Sequence, residues 1–371
     1  MKLKNIFGRQ REAASILFIG AMPPPVNGAS VMNRLYVEHL RSRGYEVIEF
    51  DTFGFSRTLN GVIYHISRAA RCASIVFLLI ISVFKLPPQW YLSISGGYGI
   101  IFDLSYVLIG RWLGFSIVFH HHSYRYLKQR SFLFSMLTRL AANDKNKHIF
   151  LSDKMRNSAC KLYPAIECKN SFVVSNVGIY FEYLKKEYTR ATPISRPKSK
   201  VGFLSNITKE KGGYRFLELL DKCEQDGLTV EFIMAGPCND PKLNKRIKSE
   251  ERSAKPFKYI GPVYARDKAQ FYREIDIFVF PTLHVDEAEP LVLIEAAFFG
   301  CEILSYDVGS ISDMGVYLEL SLVAPGYPLD TELGNLVNRR TTIQASEWRD
   351  KMEKVSQRNI REFNSILLRG A

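Results

Sequence analysis

DEAEPLVLIEAA, residues 286–297, holds two carboxylates, Glu287 and Glu295, eight positions apart across an apolar run that opens at Pro290. Proline suits the first position of a helix, where its missing N–H costs nothing, so Glu287 is expected in the entering loop and Glu295 about two turns in. The free amides of Leu291 and Val292 then point out of the helix start, where the macrodipole favours an anion such as a diphosphate. Upstream, Ile275 to Phe280 reads as a strand; downstream, Gly300 marks a turn, Glu302 to Tyr306 a second strand and Gly309 a glycine turn. Strand, loop, helix, turn, strand and glycine loop form a parallel α/β unit with a ligand edge. A surface helix carrying two solvated glutamates is the bland alternative.

EAEPLVLIEAAFFG with the trailing Gly309 resembles the E-x7-E donor motif of retaining glycosyltransferases of family 4. That family has the GT-B fold, an α/β architecture of two Rossmann-like domains facing a central cleft. The resemblance implies that Glu287 touches hydroxyls of the transferred sugar, that Glu295 holds the ribose of the nucleotide, and that the amides near Leu291 and Val292 bind the diphosphate. A second segment, VGFLSNITKEKGGYRFLELL from Val201, reads as strand, polar loop and helix, and is similar to the family's G-R-x4-K-G signature. Lys211 and Gly212 match. Asn206 stands where the family has arginine and Ser205 where it has glycine, so one cation is missing, and an amide donates to phosphate without the charge-assisted strength of guanidinium. Taken alone, Lys211 reads as a solvated loop lysine.

Two further strands end in Gly236-Pro237 and Gly261-Pro262. The resemblance places such loops around base and ribose, which singles out Gly236, Val263 and Tyr264; structural turns explain the glycine–proline pairs equally well. In the first half, MPPPVNGAS ends a strand and opens a helix at Gly28, where the family has a glycine-rich loop that lets donor phosphate approach the backbone. Only glycine tolerates positive φ and leaves space there, so Gly28 is carried over and Ala29, in place of a second glycine, is a neighbour.

VFHHHSYRYL ends another strand with His120, His121 and His122. Successive strand side chains point to opposite faces, so His120 and His122 share a side. The resemblance implies a histidine near the reacting sugar at this strand end, with His122 first and His120 in reserve; a core histidine bonded to the backbone is the competing reading. No spacing supplies further ligands, so no metal site is expected.

At 371 residues and 47% hydrophobic content the chain has room for two domains with their own cores. The six cysteines are scattered without a C-x2-C pair, as in free thiols of a reducing compartment. Charge is asymmetric: residues 1–190 hold 25 Lys and Arg against 11 Asp and Glu, or +14, and the remainder 25 against 26, or −1. A basic half beside a neutral one points to an anionic, extended partner for that half. The apolar run near the N-terminus feeds a glycine loop and reads as strand Ser15–Ile19 rather than a signal core. The longest apolar run, Ala73 to Phe84, has twelve residues against roughly 20 for a spanning helix, so no transmembrane segment is expected. Around it, Arg68, Arg71 and Lys85 leave two readings open, a buried helix or an interfacial helix whose flanking cations meet anionic lipid.

An α/β rhythm runs twice along the chain, giving two domains, residues 1–188 and 196–345, which the resemblance implies are acceptor-binding and nucleotide-sugar-binding respectively. Tyr183 to Lys200, charged and proline-containing, reads as a linker. Ala345 to Leu368 looks helical, and the resemblance implies that the last helix, residues 350–371, crosses back onto the first domain. The function implied is transfer of a hexose, with retention, from a nucleotide diphosphate sugar to a growing, lipid-linked glycan at the inner face of the cytoplasmic membrane, with no cofactor. There is no D-x-D sequence for a metal-bridged diphosphate. A GT-B epimerase or inactive scaffold is the runner-up. A nucleic-acid-binding protein is disfavoured, because no helix-turn-helix, zinc finger or RNP-like strand is present to read bases.

Overall fold

The structure, a computed structural model, describes residues 14–53, 61–82, 85–188, 200–339 and 345–368. Two six-stranded sheets form, and every strand pairing in them is parallel. The first is built from β1 (Ser15–Gly20), β2 (Glu46–Asp51), β3 (Gln89–Ile94), β4 (Ser116–His121), β5 (Lys147–Phe150) and β6 (Ser171–Val173), in the order β2-β1-β3-β4-β5-β6. Its helices are α1 (Gly28–Ser42), α2 (Gly61–Ile81), α3 (Ile100–Trp112), α4 (Arg125–Lys128), α5 (Phe132–Ala141), α6 (Asp153–Leu162) and α7 (Val177–Glu187). The second sheet is built from β7 (Lys200–Leu204), β8 (Glu231–Ala235), β9 (Phe257–Tyr259), β10 (Ile277–Phe280), β11 (Glu302–Tyr306) and β12 (Ser321–Val323), in the order β12-β11-β10-β7-β8-β9. With it go α8 (Gly213–Gln225), α9 (Pro241–Glu251), α10 (Ala265–Glu274), α11 (Leu291–Phe299) and α12 (Asp330–Asn338), before α13 (Ala345–Leu368) ends the described chain.

Strand order reverses between β1 and β3 in one sheet and between β7 and β10 in the other. Parallel sheets open a crevice at the carboxyl ends of the strands where order reverses. The loops leading to Gly28, Lys211 and Glu287 leave β1, β7 and β10, so all three sit at such points.

The period-two alternation of strand side chains separates two core layers. Ile16 and Phe18 join Met32, Tyr36 and Leu40 of α1 and the buried face of α7. Leu17 and Ile19 face the other way, with Cys72, Ile75 and Leu79 of α2, Val107 of α3 and Phe134 of α5. Helix α13 packs along α7 and reaches the first sheet: Gln89 donates to the Leu367 carbonyl at 3.4 Å, Asn364 meets His39 at 2.9 Å, and Phe363 lies against Tyr36.

Three sequence expectations need correction. Tyr183 to Glu187 is the end of α7, not linker; its Tyr180, Phe181 and Leu184 are buried against neighbours from distant parts of the chain, and the expected linker's residues 189–199 lie outside the described ones. Helix α2 is longer than its apolar run: Ile63–Ile81, 19 residues, has the length and composition to cross a membrane, the one such helix among the described residues. It nevertheless forms the crossover from β2 to β3 and buries the stripe Cys72, Ile75 and Leu79. Finally, of the three cations left open between lipid and protein, Arg68 and Arg71 turn inward, whereas Lys85 is exposed. Arg71 donates to the Asp51 carbonyl at 3.0 Å and Arg68 reaches Ser95 at 3.5 Å, its Nε buried.

Candidate active site

Lys211 and Glu287 are joined across the reversal point of the second sheet. The Lys211 ammonium forms an ion pair with the Glu287 carboxylate, which also accepts from Thr282 Oγ1 at 3.3 Å. Backbone contacts zip the two loops together: Leu283 N–H donates to the Glu210 carbonyl at 2.8 Å, and Gly212, at φ +87°, would place a side-chain carbon 2.1 Å from the Pro281 carbonyl. Glycine after the lysine is therefore what lets β7's loop lie on β10's. On the other flank Gly309, at φ +60°, leaves no room for a Cβ beside the Glu287 carbonyl, which accepts from Ser310 N–H at 3.1 Å. Glu287 itself is buried.

Helix α11 begins at Leu291, with Pro290 as the residue before it rather than within it. Glu295 thus sits one turn in and is 2% exposed, which removes the reading of two solvated glutamates. Its carboxylate accepts from Tyr180 and Lys268 on one oxygen and from Tyr272 at 2.8 Å on the other. The first amides of α11, Leu291 and Val292 among them, have no partner inside the helix. Across the cleft, Leu291 is the nearest side chain to Gly28, 3.8 Å from where its Cβ would stand. Gly28 opens α1 without positive φ, so the expectation of a left-handed glycine is corrected; what it supplies is space facing α11.

Asn206 is exposed at the start of the Lys211 loop, and Tyr264 is 62% exposed at the start of α10. Val263 is half-buried, and the Gly236 carbonyl accepts from Tyr259 at 2.8 Å beside the β7 loop. None of these four is joined to the Lys211–Glu287 pair.

His120 and His122 do share a side, with ring centroids 4.0 Å apart under Tyr36. His121 faces the opposite layer, bonded to Tyr126 at 2.9 Å and His148 at 3.1 Å. Burial holds His120 well below the ordinary imidazole value and brings His122 down to about 4, so both are neutral at pH 7. Nδ1 of His120 is held by Tyr91, and Nε2 of both rings is buried with no protein partner among the described residues. Neutral imidazoles with a free ring nitrogen can hydrogen-bond a sugar hydroxyl without adding charge. Among the described residues no three His, Cys, Asp or Glu side chains converge as a metal-binding group.

Glu289 carries no sequence signal and is the main addition. It lies between the two motif glutamates, yet accepts from Asn176 N–H at 2.5 Å and from the hydroxyls of Ser175 and Tyr317, tying the loop after β10 to the start of α7. Burial pushes its carboxyl up to about 7, against the pull of those three donors, and Asp313 pushes the same way. Between the ordinary 4.5 and about 7, the folded chain keeps a proton that the unfolded chain releases. Stability on this account is full below pH 4.5 and falls as pH rises to about 7, by at most about 3 kcal/mol. Asp103, also raised to about 7 by burial, has the same sign, so the test is a difference. Glu289→Gln is expected to flatten part of the decline in thermal midpoint between pH 5 and 7.5; a slope equal to wild type would assign the effect elsewhere.

Residues 198–329 match the family model described as glycosyl transferases group 1. At the level of sequence, no curated protein matches. Among solved structures, the chain is similar to Anabaena HepE in complex with UDP (15% identity, TM-score 0.61, covering 95% of this chain and 100% of that one). It is also similar to the lipopolysaccharide outer core galactosyltransferase WaaB (16%, 0.63, 96% and 100%) and to the catalytic domain of starch synthase IV from Arabidopsis thaliana bound to ADP and acarbose (12%, 0.65, 96% and 99%). The fold is GT-B. With the match over the second domain, this supports a glycosyltransferase.

Proposed function

We propose that the chain transfers a hexose, with retention of configuration, from a nucleotide diphosphate sugar to a lipid-linked surface glycan, without a metal. The observation that carries this is the convergence of Lys211, Glu287 and the amino end of α11 at one strand-order reversal, opposite Gly28. Fold neighbours crystallised with UDP, UDP-glucose or ADP support a nucleotide donor. In this reading Lys211, a half-buried cation, and the fixed dipoles of the α11 amides neutralise the departing diphosphate. Glu287 holds hydroxyls of the sugar, with His122 or His120 beside it. Glu295 takes the ribose, whose hydroxyls exchange with the Tyr180 and Lys268 contacts. The acceptor hydroxyl attacks on the face from which diphosphate departs. Incubation with several nucleotide sugars, read by mass spectrometry, tests this; turnover that needs no acceptor favours the epimerase instead.

The same reading places the protein on an anionic membrane at the cytoplasmic face. On α2, Ile63, Ile66, Phe77, Ile80 and Ile81 are exposed, and α3 beside it exposes Leu108 and Trp112. The first half's charge of +14 (25 Lys and Arg against 11 Asp and Glu) favours anionic lipid, at about 1 kcal/mol per basic residue near the surface. Flotation on liposomes is expected to rise with anionic lipid and fall in high salt. Ile80→Ser with Trp112→Ser should weaken it with the fold kept, whereas Arg68→Glu should disturb the fold, because that side chain faces the protein. Indifference of wild type to anionic vesicles would remove the membrane from the account and leave the donor site standing.

A further inference from the structure

Beside the cleft, the first domain has a pocket of about 280 Å³ that the donor site does not use. Arg125 and Arg130 line it, together with Tyr98, Gln129 and Ser131, and among the described residues no carboxylate does. Both guanidinium groups are poorly occupied by protein. Arg125 stands 3.8 Å from Asp286, longer than a hydrogen bond, with its side chain 58% exposed, and Arg130 reaches Ser135 at 3.4 Å. Each guanidinium presents five N–H donors in a fork that fits phosphate oxygens in pairs. The pocket is below the roughly 300–1,000 Å³ of sites that enclose a whole small ligand, a size suited to a head group.

Its two sides differ. Inward, Arg125 borders Asp286, the neighbour of Glu287, and Tyr124 N–H donates to the Asp286 carbonyl at 3.2 Å. Outward, Tyr98 is 86% exposed and Phe132 77%, and they lead to Ile101 and Leu108 of α3 and Met136 of α5, helices that pack side by side. An anion pocket with an apolar face on one side and the sugar-transfer loop on the other fits a ligand with the same order of parts.

We propose that this pocket holds the phosphate or diphosphate joining the lipid to the sugar of the acceptor, with Arg125 and Arg130 as its ligands. The inference rests on the glycosyltransferase reading and specifies its acceptor. Farnesyl diphosphate serves as the probe, titrated into the full chain with the nucleoside diphosphate, UDP or ADP, held at saturation so that the donor site is filled. Wild type is expected to bind the probe, and Arg125→Gln with Arg130→Gln to bind it about a hundred-fold more weakly, as for two lost charge-assisted bonds. Nucleotide affinity, unchanged in the variant, certifies its fold; Arg130→Gln alone, expected to lose about ten-fold, replaces the double variant should that one not fold. Equal binding of the probe by wild type and variant overturns the proposal. Inorganic diphosphate binding as tightly as the farnesyl ester overturns its lipid part. Failure of wild type to bind any nucleotide counts against the donor site instead, since the arginine dependence of the probe is then read without it.

Discussion

Lys211→Ala is expected to lower sugar transfer by about two to three orders of magnitude with the fold intact, the size of loss seen when one preorganised group facing developing charge is removed. In the proposed reading, with Asn206 where the family signature has arginine, Lys211 supplies most of that loop's side-chain charge toward the diphosphate. In the structure the same ammonium is paired with Glu287, and this arrangement adds a second consequence. A donor must draw Lys211 toward phosphate and leave Glu287 to the sugar, so the pair is exchanged for substrate contacts rather than kept. Lys211→Ala therefore also leaves the buried Glu287 with Thr282 alone. Asn206→Ala, at an exposed position, should cost far less. Steady-state rates on any true donor check both; equal rates for wild type and Lys211→Ala would remove the assigned site.

Glu295→Gln should weaken binding of the free nucleoside diphosphate ten- to a hundred-fold, the worth of a hydrogen bond to a charged group of about 1.5–3 kcal/mol. Glu287→Gln should lower turnover and leave that binding nearly unchanged. The structure sharpens the contrast. Glu295 is held by Tyr180 from α7 and by Lys268 and Tyr272 from α10, so its loss loosens a contact between domains as well as removing the proposed ribose ligand. Tyr180→Phe separates the two: it removes the contact between domains and leaves the carboxylate, and should retain most of the nucleotide affinity. Calorimetry with nucleotide alone reads all three variants, and identical effects of both glutamate substitutions would dissolve the division of roles.

What could be read from sequence follows from how local each feature is. The β10–α11–β11 unit was legible because β10 is a continuous apolar run and Gly300 and Gly309 mark the turns that bound β11. The pairing of Lys211 with Glu287 was foreseeable only as membership of one sheet edge; the contact itself depends on β7 and β10 being neighbours, which a separation of 76 positions conceals. Glu289 gave no sign because its partners Ser175 and Asn176 lie 114 and 113 positions away. Lys268 was hidden for the same reason, as one of several charges on an amphipathic helix. Sequence left Arg68 and Arg71 open between two readings because flanking cations look alike whether they meet lipid or the carbonyl edge of β2 and the loop after β3. Helix α7 was partly lost to the linker because its charged end resembles one, while its buried face is set by contacts with α1, α11 and α13.

The central claim is that the reversal point of the second sheet binds a nucleotide sugar through Lys211. Its most direct measurement is transfer and binding with a panel of nucleotide sugars, followed by mass spectrometry and calorimetry on wild type and Lys211→Ala. The account predicts that one donor binds saturably and is consumed by wild type, and that Lys211→Ala loses its turnover. No binding by any nucleotide sugar, or turnover indifferent to Lys211, would contradict it.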